Sequence, residues 1–173
     1  MELVFDADHF RRVVVEGICA ARVSVDIMTA DFKAMLVPTG SGRAKSIVEH
    51  FRRLAGRGVE IRLLHAGVPS SAALRELKRE LPERLTIRRC PRLHSKAVII
   101  DSARLYLGSA NLTGAGLGAK ADGRRNFELG VLTEKPDLID RVMGEFNGLW
   151  EGQPCRTCKR RDVCPVPLEE PAL

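Results

Sequence analysis

Phosphate-directed chemistry is concentrated between positions 93 and 111, where the sequence reads LHSKAVIIDSARLYLGSAN. A neutral imidazole, here His94, can attack phosphorus, and a cation, here Lys96, can hold the oxygens on which charge is redistributed. The hydroxyl of Ser109 and the amide of Asn111 can donate further hydrogen bonds to the same oxygens. The segment therefore indicates cleavage or transfer at a phosphodiester.

Two strands must bring these groups together. The apolar, partly β-branched run at 97–100 predicts a strand from Leu93 to Ile100. Successive side chains of a strand alternate between its faces, so His94 and Lys96 are expected to point the same way.

The return strand, 104–108, is expected to follow a two-residue turn at positions 101 and 102. That register pairs His94 with Ser109 and adds Ser109 and Asn111 to the face of His94 and Lys96. A longer turn would shift the pairing, and a shift of one residue turns side chains to the opposite face.

The spacing H-x-K-x4-D-x6-G-S-x-N resembles the signature of the phospholipase D superfamily. It is formed here by His94, Lys96, Asp101, Gly108, Ser109 and Asn111. The resemblance extends from about Arg22 to about Trp150 and includes the segment NFELG at 126–130. It implies an α/β fold in which a mixed β-sheet is flanked by helices on both faces.

The resemblance also implies roles for these residues. His94 is expected to be the nucleophile that forms a phosphohistidine, with Lys96, Ser109 and Asn111 holding the phosphate. Glu128 matches a glutamate that contacts the histidine in that family and would fix its tautomer. Asp101 is counted with the motif, but it lies an odd number of residues from Lys96, hence on the other strand face or in the turn, and is expected to have a structural role.

One histidine cannot act as attacking base and as leaving-group acid in the same step. The resembled family uses two copies of the motif, and this chain has one. The expectation is a homodimer that joins two His94 side chains across a two-fold axis, with no metal or cofactor needed for catalysis.

Residues 1–150 are expected to form one layered α/β domain, because helical and strand patterns alternate along them. Helices are predicted after Asp6 or Asp8, from Ser41 through an apolar stripe at 47–55, over 70–81, and from Pro136 to Trp150. Further strands are predicted at 22–29, 59–65, 85–90 and 126–133.

Polar residues outside the motif have plainer interpretations. Asp26 is expected to face solvent from its strand, and His9 and His50 to lie on solvated helix faces. His65 is expected to be a structural histidine. The glycine-rich run 112–125 is predicted to be a mobile surface loop beside the site.

The net charge is +6, carried mostly by arginine, which favours a polyanionic partner such as nucleic acid. Substrate-phosphate contacts are predicted at Arg88 and Arg89, upstream of the motif, and at Arg124 and Arg125, which end the glycine-rich run. No apolar stretch is long enough to span a bilayer and the first ten residues do not resemble a secretory signal. A cytoplasmic location is therefore expected.

The tail, 151–173, contains the spacing C-x2-C-x5-C formed by Cys155, Cys158 and Cys164. In a reducing compartment disulfides are disfavoured, so closely spaced cysteines more often bind metal or are reactive, and free thiols are the alternative to a metal site. A fourth ligand for a structural zinc ion or 4Fe-4S cluster could be Cys19 or Cys90. The spacing also resembles the iron–sulfur staple of certain RecB-like nucleases, whose fold is unrelated.

The favoured function is a nuclease. One alternative is a lipid or other phosphodiester hydrolase or transferase, against which stands the lack of a basic amphipathic surface helix. Another is a nucleic-acid-binding subunit of a larger repair or defence complex.

Overall fold

The fold is described from a computed structural model that covers residues 1–39 and 43–169. The strands are β1 (Glu2–Phe5), β2 (Ser24–Thr29), β3 (Leu36–Pro38), β4 (Ala44–Ser46), β5 (Glu60–His65), β6 (Leu85–Arg89), β7 (Ala97–Ile100), β8 (Arg104–Gly108) and β9 (Leu129–Thr133). The α-helices are α1 (Ile47–Ala55), α2 (Ser71–Arg79) and α3 (Pro136–Trp150).

A seven-stranded mixed sheet organises these elements, with the strand order β1-β9-β8-β7-β2-β5-β6. The strands β2, β5 and β6 run parallel to one another. All other neighbouring strands of this sheet are antiparallel. The hairpin β7–β8 therefore lies near the centre of the sheet, next to β2.

Each face of the sheet buries its own apolar cluster. The first face packs against α1, α2 and the helical turns at Phe10–Val15 and Ile18–Ala20. The second packs against α3. Along β7, Val98 and Ile100 belong to the first cluster, whereas Ala97 and Ile99 belong to the second. The expected sheet with helices on both faces is confirmed.

The helices begin and end close to where the apolar periodicity predicts. The stripe of α1, from Ile47 to Ala55, is buried, but its N-cap is Ser46, whose hydroxyl accepts from the backbone N–H of Glu49. The predicted cap, Ser41, lies outside the described residues. In residues 1–39 and 43–169, no helix combines the length and the hydropathy that a membrane crossing needs.

The first helical segment differs from the prediction in type. The stretch from Phe10 to Val15 is a π-helix, and a short 3-10 turn follows at Ile18–Ala20. Two strand pairings were not predicted. One joins β1 to the sheet edge and the other joins β3 to β4.

Asp26 is buried rather than solvent-facing, which corrects the prediction. Its carboxylate accepts from Nε of Arg62 at 2.6 Å, and the two residues are direct partners in the β2–β5 register. The guanidinium of Arg62 also lies 4.7 Å from the ring centroid of Phe146 on α3. Because α3 covers this face, a lone carboxylate here would be costly, and the arginine neutralises it.

The predictions that His9 and His50 lie on solvated helix faces are wrong. His9 and His50 are buried, and their rings bond to the backbone oxygens of Asp6 and Val37 respectively. His65 is buried as a structural residue, with Nδ1 2.6 Å from the carbonyl oxygen of Gly67. Burial lowers the pKa of all three histidines, which favours their neutral forms.

The glycine-rich run after Asn111 also differs from the prediction over its first half. Leu112, Thr113 and Leu117 are buried, and the hydroxyl of Thr113 accepts from the backbone N–H of Gly116. Small residues let this segment pack closely against the domain. It is therefore part of the core and not a solvated surface loop.

We expect Asp26→Ala to lower the free energy of unfolding by about 2–3 kcal/mol, because it leaves the cation of Arg62 beneath α3 without its partner. Urea denaturation followed by circular dichroism measures the change. The control is Glu60→Ala, which breaks the exposed pair with Arg84 and should cost far less. Equal losses in the two variants would contradict a special contribution from the buried pair.

Candidate active site

The β7–β8 hairpin has a turn one residue longer than predicted. Asp101 and Ser102 have positive φ angles of 54° and 51°, as in the tight hairpin turn that was expected. Ala103 is an extra residue, so Ile100 pairs with Arg104 and Ala97 pairs with Leu107. The register is shifted by one, and the predicted partnership of His94 with Ser109 is wrong.

His94 and Lys96 lie in the extended segment that leads into β7 rather than within the strand. The His94 side chain is exposed, and Nζ of Lys96 donates to the backbone oxygen of His94 at 2.7 Å. The backbone N–H of Gly108 donates to the carbonyl oxygen of Lys96 at 3.2 Å. The end of β8 is thus fastened beside the two residues, and a cleft of about 290 Å³ borders His94, Ser95 and Glu145.

Ser109 and Glu128 form the second part of the site, at the ends of β8 and β9. The Ser109 hydroxyl donates to one carboxylate oxygen of Glu128, and Nδ2 of Asn126 donates to the other at 3.0 Å. The backbone N–H of Glu128 donates to the carboxylate of Asp6 at 2.8 Å. Both carboxylate oxygens of Glu128 therefore accept a hydrogen bond, one from Ser109 and the other from Asn126.

The expected hydrogen bond between His94 and Glu128 is not formed. Among the hydrogen bonds of residues 1–39 and 43–169, those of the Glu128 side chain go to Ser109 and Asn126. The register shift accounts for the difference, because it moves His94 away from the position opposite Ser109. The two residues lie in the same region without touching.

Asn111 is held by the end of β2. Its Oδ1 accepts from the backbone N–H groups of Ala30 and Asp31 at 3.0 and 3.1 Å. Leu112 continues the contact, since its N–H donates to the hydroxyl of Thr29 at 2.9 Å. These bonds orient the side-chain amide, so its NH₂ group is the part that can donate to a phosphate oxygen.

Asp101 lies at the opposite end of the hairpin. Its carboxylate accepts from the backbone N–H groups of Arg22, Val23 and Ser24 at 2.7–3.1 Å. It thereby fastens the β7–β8 turn to the start of β2. This geometry fits the structural role that is expected from its odd-numbered separation from Lys96.

Two of the predicted substrate arginines are engaged elsewhere. Arg88 donates to the carbonyl oxygen of Trp150 and stacks 4.7 Å from the centroid of its indole ring. It fastens the end of α3 instead of facing the site. Arg89 donates from Nε to the carbonyl oxygen of Ala66 at 3.1 Å.

The other two lie near the site. Arg125 pairs with Asp122 in its own turn, and Arg124 is exposed two residues before Asn126. Of the four arginines, Arg124 is exposed and the other three are half-buried.

Tyr106 packs against His9 and beside Gly108 of the motif, and this packing was not predicted. The rings of His9 and Tyr106 are edge to face with centroids 5.3 Å apart, and both residues are buried. A Cβ on Gly108 or Gly130, which pair in the β8–β9 register, would lie 2.3 Å from Tyr106 atoms. Gly108 of the motif is therefore required because the Tyr106 ring lies where its Cβ would be. Gly130, the second glycine of this pair, is the feature of the sequence that could have indicated such close packing.

The predicted cysteine ligands separate into two places. Cys90, Cys155, Cys158 and Cys164 line one cavity beside the loop that carries His94. Cys19 instead packs at the edge of the first apolar cluster, where burial raises its pKa to about 11. The structure thus groups Cys90, and not Cys19, with the tail cysteines.

Comparison with known proteins agrees with this fold. The family model described as "Cardiolipin synthase, PLD-like domain" matches residues 14–150. The chain therefore belongs to the phospholipase D-like family. No curated protein matches the sequence.

Solved structures support the same assignment at the level of the fold. The chain is similar to Nuc from Salmonella typhimurium, described as a phospholipase D family member, with a TM-score of 0.65, 18% identity, and 87% and 93% of the two chains covered. NucT from Helicobacter pylori gives a TM-score of 0.65 at 18% identity, with 87% and 94% covered. TrmBL2, an archaeal chromatin protein, gives 0.54 at 16% identity, with 87% of this chain and 51% of that one covered.

We expect Asp101→Ala to destabilise the fold by about 2–3 kcal/mol, because three backbone N–H groups lose a charged acceptor. Asp101→Asn should recover part of the loss, since its amide oxygen keeps one acceptor. Urea denaturation of both variants measures this order. Equal stability of the alanine variant and the parent chain would contradict the anchoring role.

Proposed function

We propose that the chain is a metal-independent phosphodiesterase that cleaves nucleic acid through a phosphohistidine on His94. The observation that carries the proposal is the grouping of His94, Lys96, Ser109, Asn111 and Glu128 at one end of the β7–β8 hairpin, with Asp101 at the other end. The family assignment supports the phosphodiesterase class. The similarity to Nuc and NucT supports a nuclease within that class.

The proposed first step is attack by an imidazole nitrogen of His94 on phosphorus. The nitrogen–phosphorus bond forms as the bond from phosphorus to the leaving oxygen breaks, and the oxygen takes a proton from a second imidazole. Lys96 and the Asn111 amide stabilise the phosphate oxygens as their charge is redistributed. In the second step that imidazole, now neutral, takes a proton from water, which attacks phosphorus and releases His94.

We propose that the second imidazole comes from a second copy of the chain, since one copy of the motif supplies one His94. Exposed apolar side chains lie on strands β1, β8 and β9 and just before β9. We term this set the exposed apolar face; its members are Leu3, Phe5, Leu107, Phe127 and Leu129. Leu129 is 52% exposed and Phe127 97% exposed, immediately on either side of Glu128.

A patch of this kind is typical of an interaction surface. Because it borders the site, a second copy bound there would lie close to His94. We propose that the exposed apolar face is the homodimer interface and that it brings two His94 side chains to one phosphate.

Nucleic acid is the proposed substrate because of the net charge of +6 and the exposed Arg124 near the site. The description of the family model names a lipid enzyme, so a phospholipid is the second candidate. TrmBL2 is described as binding DNA in a novel mode, so a DNA-binding subunit of a larger repair or defence complex is the third.

We expect the purified chain to cleave labelled DNA or RNA in excess chelator, and His94→Ala to lower the rate at least about a hundredfold. Because His94 is exposed, the variant should keep the circular dichroism spectrum and unfolding midpoint of the parent chain. Quenching in alkali should trap a covalent adduct that the variant lacks.

The matched control for this prediction is Lys78→Ala, which removes an exposed cation from α2 and should leave cleavage unchanged. Parallel assays on DNA, RNA and phosphatidylcholine vesicles distinguish the substrate classes. Turnover of the phospholipid alone would select the lipid hydrolase. Binding of DNA without turnover of any substrate would select the DNA-binding subunit, and undiminished cleavage by His94→Ala would exclude His94 as nucleophile.

We expect Leu129→Lys to convert a dimer to a monomer, because it adds a charge to the centre of the exposed apolar face. Cleavage should fall at least about a hundredfold with it, since the proton donor from the second chain is lost. Analytical ultracentrifugation measures the assembly. The control is Leu36→Lys, at a leucine that is 64% exposed on β3, which should change neither property.

A further inference from the structure

The cavity that contains four of the five cysteines lies between the tail and the β6–β7 connection. Cys90 directly follows β6, and Cys155 lies in the 3-10 turn Gln153–Thr157 that follows α3. Cys158 and Cys164 complete the lining of the same cavity. All four cysteines are half-buried and none forms a disulfide.

Arginines surround these thiols. Nη1 of Arg92 donates to Sγ of Cys158 at 3.5 Å, and Nη2 of Arg161 donates to the backbone oxygen of Cys155 at 3.1 Å. Arg89 and Arg160 line the cavity as well. A centre ligated by four thiolates carries net negative charge whether it contains zinc or iron, and such a ring of guanidinium groups would compensate it.

The kind of centre is suggested by the ligand set. The described residues that line this cavity include four cysteines and no histidine, aspartate or glutamate. An all-thiolate set of four is the one that a 4Fe-4S cluster uses.

We propose that Cys90, Cys155, Cys158 and Cys164 hold a 4Fe-4S cluster that clamps the tail against the loop carrying His94. Cys90 is well placed for this role, because its N–H donates to the carbonyl oxygen of His65 at 2.8 Å and its own carbonyl oxygen accepts from Leu93 at 2.9 Å. His94 is the next residue. Cys90, Cys155 and Cys158 also line the cleft beside His94, so the cluster would act as a positioning element and not as a reacting group.

The cluster is tested on the full chain, produced with iron available and purified without oxygen. We expect about four iron atoms and four inorganic sulfides per chain, with the visible absorption of thiolate-bound iron. Cys90→Ser and Cys164→Ser should each lose most of the iron. Cys19→Ser is the matched control, since it removes a thiol outside the cavity, and it should retain all of it.

A second measurement reports on the clamp apart from any activity. In Cys90→Ser, amide hydrogen exchange over residues 91–94 should become faster than in Cys19→Ser. The stoichiometry of the parent chain tests the proposal even where a variant fails to fold. A colourless chain without iron, one zinc ion per chain, or equal iron in Cys90→Ser and the parent chain would each overturn it.

Discussion

The position of the β7–β8 hairpin depends on two side chains that bind the backbone at the two ends of β2. Asp101 accepts from the N–H groups of Arg22 to Ser24, where β2 begins, and Asn111 accepts from those of Ala30 and Asp31, where it ends. The strand itself pairs antiparallel with β7 between these points. Residues of the motif thus fix the position of the hairpin before any of them contacts a substrate, and this constraint makes the placement of His94 and Lys96 reproducible.

Arginine has a structural function in this chain that its contribution to the net charge conceals. Arg62 neutralises the buried Asp26 and stacks on Phe146, and Arg88 stacks on Trp150 while it donates to the carbonyl oxygen of the same residue. Both cations lie under α3 and help to fasten it to the sheet. Because these two arginines hold α3, the net charge of +6 is weaker support for a polyanionic substrate than its size suggests. The exposed Arg124 carries more weight than these two half-buried cations.

Local patterns were enough to predict β2, β5, β6 and α3. The mixed sheet with helices on both faces was predicted from the resemblance to the phospholipase D superfamily. Local patterns were not enough to predict the hairpin register, because Ala103 adds one residue to a turn whose chemistry at Asp101 and Ser102 fits the shorter form. The burial of Asp26 depended on Arg62, a residue far away in sequence that only the parallel pairing brings near. His9 likewise could not be judged without Tyr106, a residue distant in sequence whose ring it meets edge to face.

The sequence also could not show which of Cys19 and Cys90 lies beside the tail cysteines. In the fold it is Cys90, and a contact of Arg88 accounts for this. Arg88 lies two residues before Cys90 and binds the carbonyl oxygen of Trp150, the last residue of α3. Because α3 ends at that contact, the chain that follows begins its 3-10 turn next to the end of β6, and Cys155 reaches the cavity that Cys90 lines. Arg88, which was predicted to bind substrate, therefore sets the point from which the tail turns back toward the loop that carries His94. A chain in which α3 ended elsewhere would carry the same cysteine spacing without bringing a fourth thiol to it.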